Sequence, residues 1–375
     1  MIVDHHVRGY REIYEKVPGL FEVGAVCDLI EDRAVRIAEQ IEEFQGFRPE
    51  VYTDHERMLE IEELDAASVA TSHFAHHEPT ITALERGLHV VVEKPFAVTV
   101  KAGLKMIHAA ERNNRKLACA EPMRRSLRSR AINWAINERE LIGEPRFFFY
   151  QRARFNLGVV VGTPWRHNKL MSGGGWVLDG EVHYVDFLRM VFGDVEEVYG
   201  KIRNFEPTRY LDLRNLKEPV PSDVEDTAFA ILTFRSGTVG SFIWTHAAPG
   251  REVNLVRYYG SKGCLDDQGV LTKSGESITM DQLEGEFMKA LSGERKERLF
   301  PYGMFNPYSI SFYDFLDSIR SDGEPEVSGR EALAAQAVCE AIYESDACGR
   351  AVRVEEVISG EVDEFQRAIN EHWGV

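Results

Sequence analysis

Three residues of this chain carry side chains suited to moving a proton while a hydride leaves or joins the same carbon. Lys94 follows the apolar run Leu88 to Val92 and is held between Glu93 and Pro95. A lysine at the end of a strand presents its ammonium to an alcohol or carbonyl oxygen, and the adjacent proline restrains the backbone that carries it. Asp179 and His183 come after the run Gly173-Gly174-Gly175. Their i,i+4 spacing predicts one face of a helix over Trp176 to Met190, whose apolar positions are Val177, Val182, Val185, Leu188 and Met190. On a shared face a carboxylate orients an imidazole, and an imidazole with an ordinary pKa of about 6.5 suits taking or returning a hydroxyl proton. A helix cap beside a partly buried histidine is the plainer reading of that pair. Trp165 and Arg166 precede the glycine run by a short loop. The arginine suits a hydroxyl or carboxylate and the tryptophan suits a pocket wall, although a packed tryptophan with a salt-bridged arginine explains them equally.

The elements that must position these groups alternate in the first third. Short, nearly all-apolar strands are expected at Phe21–Cys27, 50–52, 66–70, 89–92 and 116–120. Helices are expected at 8–16, 32–43, 79–86 and 101–113. That alternation marks a parallel sheet covered on both faces. Its carboxyl edge, where open parallel sheets bind ligands, would carry Asp28, Thr71, Ser72 and Lys94. Asp28 at a strand end suits the hydroxyls of an adenosine ribose, or simply caps the next turn. After Pro122 the strands turn aromatic and antiparallel in pattern: 146–155, 195–204, a hairpin over 226–246, and 253–259. Helices follow at 307–319 and 331–344, and the acidic tail ends in an expected surface helix over 366–373.

With 375 residues, 44% of them hydrophobic, the chain can build two domains with substantial cores. A net charge of -17 argues against nucleic acid and anionic membranes as partners. No uncharged run approaches the roughly 20 residues of a membrane helix, and no signal-peptide pattern opens the chain, so the expected compartment is the cytoplasm. The five cysteines are widely spaced, without a Cys-x-x-Cys pair, and read as buried small hydrophobes. His5, His6, His73, His76 and His77 are expected to hold no metal, since the proposed chemistry needs none.

At these residues the chain resembles the glucose–fructose oxidoreductase, inositol dehydrogenase and rhizopine-catabolism (Gfo/Idh/MocA) family. The marks are Val26-Cys27-Asp28, Glu93-Lys94-Pro95, Trp165-Arg166, the stretch Gly173 to Gly193, Gly323-Glu324-Pro325, Ser328-Gly329, and Ala341 to Ser345. The resemblance implies an α/β fold: a Rossmann-like NAD(P)-binding domain over 1–121, then an α+β domain over 122–354 with a large, mostly antiparallel sheet. The tail 355–375 stands apart. It implies hydride transfer between NAD, with NADP as the second possibility, and a hydroxyl or carbonyl carbon of a sugar, inositol or related polyol. Lys94, Asp179 and His183 would be catalytic, with Trp165 and Arg166 added for substrate. Asp28, Thr71, Ser72, His76, Glu93 and Lys94 would line the cofactor. Family members pair subunits through the sheet, so a homodimer or homotetramer is expected, and the Lys94–Pro95 peptide is expected to be cis.

Two departures from the pattern stand out. The glycine fingerprint Gly-x-Gly-x-x-Gly of a dinucleotide fold does not occur before Phe21, where only Gly9 and Gly19 are found. The first domain is therefore expected to lack its usual first strand. Glu181 stands where the family has glycine, and its side chain is expected to crowd the nicotinamide or to select a polyol. These departures keep a second reading open, that of a non-catalytic sugar-binding or structural homologue.

Overall fold

The computed structural model describes residues 2–375, with the side chains from Val3 onward. Contacts divide the chain into two compact units. The first comprises residues 1–96, Gly103–Ser126 and Ser292–Ala332, and the second comprises Ala97–Ala102, Leu127–Leu291 and Leu333–Val375. Residues 292–332 thus belong with the first unit, although they fall inside the span 122–354 read from sequence as the second domain.

In the first unit the five expected strands form: β1 (Ala25–Cys27), β2 (Glu50–Tyr52), β3 (Ala66–Val69), β4 (His89–Glu93) and β5 (Leu117–Ala120). All pairings are parallel, but the sheet is in two pieces, β1–β2 and β3–β4–β5. Among the described residues no strand joins β1 to β3, where the order 3-2-1-4-5-6 places its first strand. The helix Ile2–Lys16 links the two pieces through side chains. Its Val3 and Val7 pack with Val26, Ile37 and Ile41 on the β1 side. Its His6 reaches the other piece, where Nε2 lies 2.6 Å from Glu93 Oε1 at the end of β4. The helix Pro307–Ser321 covers the same first helix, with Phe312 stacked on Tyr10 at 4.5 Å between ring centres. Asp54 caps the helix His55–Ile61, accepting from the amides of Glu56 and Arg57.

The second unit is built on a nine-stranded sheet. Its strands are β6 (Pro145–Ala153), β7 (Val195–Arg203), β10 (Thr227–Phe234), β11 (Val239–Thr245), β12 (Val253–Gly260), β13 (Gly263–Asp266), β14 (Gly269–Thr272), β15 (Ser277–Thr279) and β16 (Val352–Arg353). A separate hairpin, β8 (Thr208–Asp212) and β9 (Lys217–Pro221), stands beside it. The order is β15-β14-β13-β12-β6-β11-β10-β7-β16, antiparallel throughout except for β11 against β6. Strand alternation sends Phe148, Tyr150, Phe242 and Trp244 into the core and leaves Phe147, Tyr199, Phe229 and Ile231 exposed on the other face. Tyr150 stacks between Tyr184 of the helix Val182–Phe192 and Phe242 of β11.

The tail departs from the expectation of a surface helix. Its helix Arg367–Trp373 buries Ile369 completely, and Gln366 and Asn370 are buried too. Their polar groups are satisfied within the unit. Gln366 Oε1 accepts from the Val100 amide at 2.8 Å, and Asn370 Oδ1 accepts from the Thr99 hydroxyl at 2.7 Å.

Candidate active site

In the first unit, the residues expected at the sheet's carboxyl edge are where the strands end. Asp28 follows β1, and its Oδ1 accepts from the Ile30 amide at 2.9 Å, a turn that leaves Leu29 and Ile30 exposed beside it. Thr71 and Ser72 follow β3, with the Thr71 hydroxyl donating to the Ala75 carbonyl at 2.7 Å. His76 is buried beneath this turn. Its Nδ1 lies 2.8 Å from the Pro95 carbonyl and its Nε2 3.2 Å from the Thr71 carbonyl. Burial is the main cause that lowers its pKa to about 4, with nearby His73 acting the same way. A neutral imidazole has one N–H, so it donates to one of these carbonyls, and the shorter contact favours Pro95. His76 therefore ties the β3 turn to the β4 turn from below.

Lys94 closes β4 and is half-buried. Glu93 Oε2 accepts from its amide at 3.0 Å while Glu93 Oε1 meets His6. The Lys94–Pro95 peptide is cis. The histidines singled out in the sequence separate into different surroundings: His5 stacks on Tyr308, His6 meets Glu93, and His76 meets backbone.

These residues are a partial match to a dinucleotide. A carboxylate after β1, hydroxyls after β3 and an ammonium after β4 suit the two riboses and the nicotinamide end. The glycine turn that would cradle a pyrophosphate is not among the described residues.

In the second unit the single helix expected over Trp176 to Met190 is two helices, Trp176–Asp179 and Val182–Phe192. The Glu181 amide donates to the Trp176 carbonyl five residues back, which widens the turn. Gly180 permits it, because the Trp176 indole lies 2.2 Å from where a Cβ would stand. Asp179 and His183 therefore sit on either side of a break in the helix. Asp179 is buried, and its Oδ2 accepts from Arg166 Nε at 2.9 Å. Arg166 also donates to the Thr163 hydroxyl at 2.6 Å and lies over the Trp165 ring at 4.3 Å. His183 is half-buried.

Glu181 points away from the role expected of it. It is buried in the unit's core, where its carboxylate accepts from the Tyr150 hydroxyl and, at 3.0 Å, from Trp176 Nε1. Burial pushes its carboxyl above the usual glutamate range, against the opposing pull of Tyr150, Arg152, Trp176 and His183. Trp176 in turn stacks on Trp244, which meets His246 edge-on at 4.4 Å.

Arg166, Trp176, Asp179, Arg209, Glu225 and His246 border a cavity of about 20 Å³, room for about one water. Arg209 Nε and His246 Nε2 are buried without a hydrogen-bond partner among the described residues. Burial, with Arg154 and Arg209 nearby, lowers His246 to about 3, so it stays neutral near pH 7.

Sequence reasoning missed Glu225, which is buried here. Burial raises its pKa to about 7 against hydrogen bonds from the Val177 and Gly175 amides, the Tyr343 hydroxyl and its own backbone, which pull it down. The available signal was an acidic pair, Glu225-Asp226, directly ahead of an apolar strand.

Two family models match the chain. One, "Oxidoreductase family, NAD-binding Rossmann fold", matches residues 5–121. The other, "GFO/IDH/MocA C-terminal domain", matches residues 135–266, and together they cover more than half of the chain. Among curated proteins the chain is 27% identical to 1,5-anhydro-D-fructose reductase of Ensifer adhaerens, over 81% of this chain and 84% of that protein. It is 26% identical to D-apiose dehydrogenase of Paraburkholderia graminis, over 93% and 86%. Among solved structures it is similar to levoglucosan dehydrogenase in complex with NADH and L-sorbose, with a TM-score of 0.73, 21% identity, and 94% and 96% of the two chains covered. It is also similar to the WlbA dehydrogenase of Bordetella pertussis in complex with NADH and UDP-GlcNAcA, with a TM-score of 0.70, 22% identity, and 94% of each chain covered. With both of its domains matched and the expected residues at the strand ends, the chain belongs to the Gfo/Idh/MocA family of NAD-binding oxidoreductases.

Proposed function

We propose that the protein transfers hydride between a nicotinamide cofactor and a hydroxyl-bearing carbon of a sugar or polyol, with Lys94, Asp179 and His183 as its catalytic set. A bound nicotinamide supplies the hydride acceptor or donor. Asp28, Thr71, Ser72, His76, Glu93 and Lys94 are the residues proposed to hold it. His183 takes the hydroxyl proton in oxidation and returns it in reduction. Lys94 stabilises charge on the reacting oxygen. Asp179 and Arg166 form a fixed ion pair, with Trp165 beneath the guanidinium, and orient the sugar's hydroxyls.

The observation that carries this reading is the placement of Asp28, Thr71-Ser72 and Glu93-Lys94 at the carboxyl ends of three parallel strands, inside a family-matched NAD-binding fold. Asp28 favours NAD over NADP, because its carboxylate repels a 2′-phosphate. The test is titration with NADH and NADPH by fluorescence, followed by absorbance at the nicotinamide band with 1,5-anhydro-D-fructose, D-apiose, levoglucosan and myo-inositol. Tighter binding of NADH and turnover of at least one sugar are expected. Failure to bind either cofactor refutes the reading.

The split of the first unit's sheet favours one alternative, a sugar-binding homologue without catalysis. Calorimetry showing sugar binding and no nicotinamide affinity would establish it.

We also propose that two or four copies associate through the open face of the nine-stranded sheet. Tyr199 pairs with Ile231, and Phe147 with Val239, so the exposed apolar residues lie in contiguous rows. A face of this kind is normally covered by a partner.

A further inference from the structure

The glycine run Gly173-Gly174-Gly175 leads into the helix Trp176–Asp179, which ends on Asp179. Four residues are too few for a helix to hold itself, since the amides of a first turn have no acceptor within the helix. Two side chains from distant parts of the second unit supply the acceptors. Glu225, just ahead of β10, accepts from the Gly175 amide through Oε2 at 2.6 Å and from the Val177 amide through Oε1 at 3.0 Å. Tyr343, deep in the helix Gly329–Cys348, accepts from the Leu178 amide at 3.1 Å through its hydroxyl. The same hydroxyl donates to Glu225 Oε1 at 3.0 Å, which closes the network.

The glycines are the other half of this fit. A Cβ on Gly174 would lie 2.5 Å from the Tyr343 hydroxyl oxygen, and one on Gly175 would lie 2.6 Å from a Glu225 carboxylate oxygen. Glu225 is buried and Tyr343 is fully so, and the Tyr343 ring is stacked on Phe365 at 4.5 Å. Neither acceptor has room to follow the turn if it moves, and the turn has no slack to leave them.

We propose that Glu225 and Tyr343 are positioning residues that fix the turn carrying Asp179, and through it the direction in which Asp179 meets Arg166. This rests on the assignment of Asp179 as a catalytic-site residue made above. A carboxylate accepting two amides and a phenol suits the task, because charge-assisted bonds are short and directional. Tyr343 adds a rigid ring that cannot rotate away from Gly174.

The test uses the full chain and the variants Tyr343→Phe, Glu225→Gln and Asp179→Asn. Tyr343→Phe keeps the stacked ring and removes only the hydroxyl. It is expected to lower kcat about 10- to 100-fold on whichever of the four sugars turns over, with the dissociation constant for NADH unchanged. In an Asp179→Asn background the same change is expected to cost less than 3-fold, because both act through one carboxylate. A purely structural hydroxyl would instead give the same factor in both backgrounds. Deuterium uptake gives a readout that needs no substrate. Tyr343→Phe is expected to speed exchange in peptides covering 173–183 while those from β10 and β11 stay unchanged. Wild-type kcat in Tyr343→Phe, full multiplicativity with Asp179→Asn, or unchanged exchange over 173–183 overturns the proposal. Should Glu225→Gln fail to fold, Tyr343→Phe carries the test alone. An Asp179→Asn variant with wild-type turnover would overturn the assignment of Asp179 itself, and this result is separate from the others.

Discussion

Replacing Glu181 should separate the cost of an empty acceptor from the cost of a buried charge. Its carboxylate serves two donors, the Tyr150 hydroxyl and Trp176 Nε1, and only 4% of the residue is exposed. Glu181→Ala leaves both donors without an acceptor, at roughly 1–3 kcal/mol each. Release from burying a raised-pKa carboxyl offsets part of this, so a net loss of about 2–4 kcal/mol is expected. Glu181→Gln keeps the shape. Its oxygen can accept from Trp176 Nε1 while its amide donates to the Tyr150 oxygen, so near neutrality is expected at pH 5.

The two variants should also differ with pH. A carboxyl whose folded pKa is raised contributes stability that is present below the ordinary glutamate value and lost as pH rises through the folded value. Glutamine has no such loss, so Glu181→Gln should gain on the wild type between pH 5 and pH 8. Urea unfolding at both pH values, followed by tryptophan fluorescence, measures both effects. Glu181→Ala within 0.5 kcal/mol (about the size of an ordinary surface change) would refute the hydrogen-bond argument. Glu181→Gln as damaging as Glu181→Ala at pH 8 would show that charge, and not shape, is what the site requires.

Other outcomes follow from the same structure. Lys94→Met should fold and lose turnover by roughly 10²–10⁴-fold, the usual scale for a group acting in proton transfer, and near-normal kcat would remove Lys94 from the catalytic set. Glu225→Gln should remove a pH dependence. With a folded pKa of about 7 against 4.5, the wild type loses stability as pH rises from 4.5 through 7, by roughly 3 kcal/mol in all, whereas the variant should not; parallel melting curves across that range would contradict the burial argument. Placing lysines at Phe229 and Ile231, about half exposed on β10 of the open sheet, should give a folded monomer by light scattering, and an unchanged mass would show that this face is not the interface.

Much of the first unit was legible because its strands are almost wholly apolar and its helices amphipathic, a pattern that local sequence alone determines. Val90 to Val92 can only be a buried strand, and Ala34, Ile37, Ala38 and Ile41 can only be one stripe. The hairpin over 227–245 was legible from alternation and from the turn at Ser236-Gly237. The break at Gly180 was not, because it depends on where the Trp176 indole lies. The inward turn of Glu181 was hidden for the same reason, since its donors include Tyr150, a residue 31 positions earlier. Glu225 meets Val177 across 48 positions and Tyr343 meets Leu178 across 165, separations at which no local pattern gives a signal. The tail was misread because Gln366 and Asn370 look like surface residues until their backbone and hydroxyl partners are known.

The docked tail bears on how the second unit can fold during synthesis. Thr99 meets Asn370 across 271 positions, and Val100 meets Gln366 across 266. Contacts of this separation close very long loops, and they form late because chain entropy is lost before they repay it. The segment just after Lys94 therefore remains without these two partners on the ribosome until residue 370 has emerged. At about 5–20 residues per second, that interval is on the order of ten seconds to a minute. During it the surface that the tail helix Arg367–Trp373 later covers stays open to solvent or to a chaperone, so the unit's completion is paced by translation rather than by its own local elements.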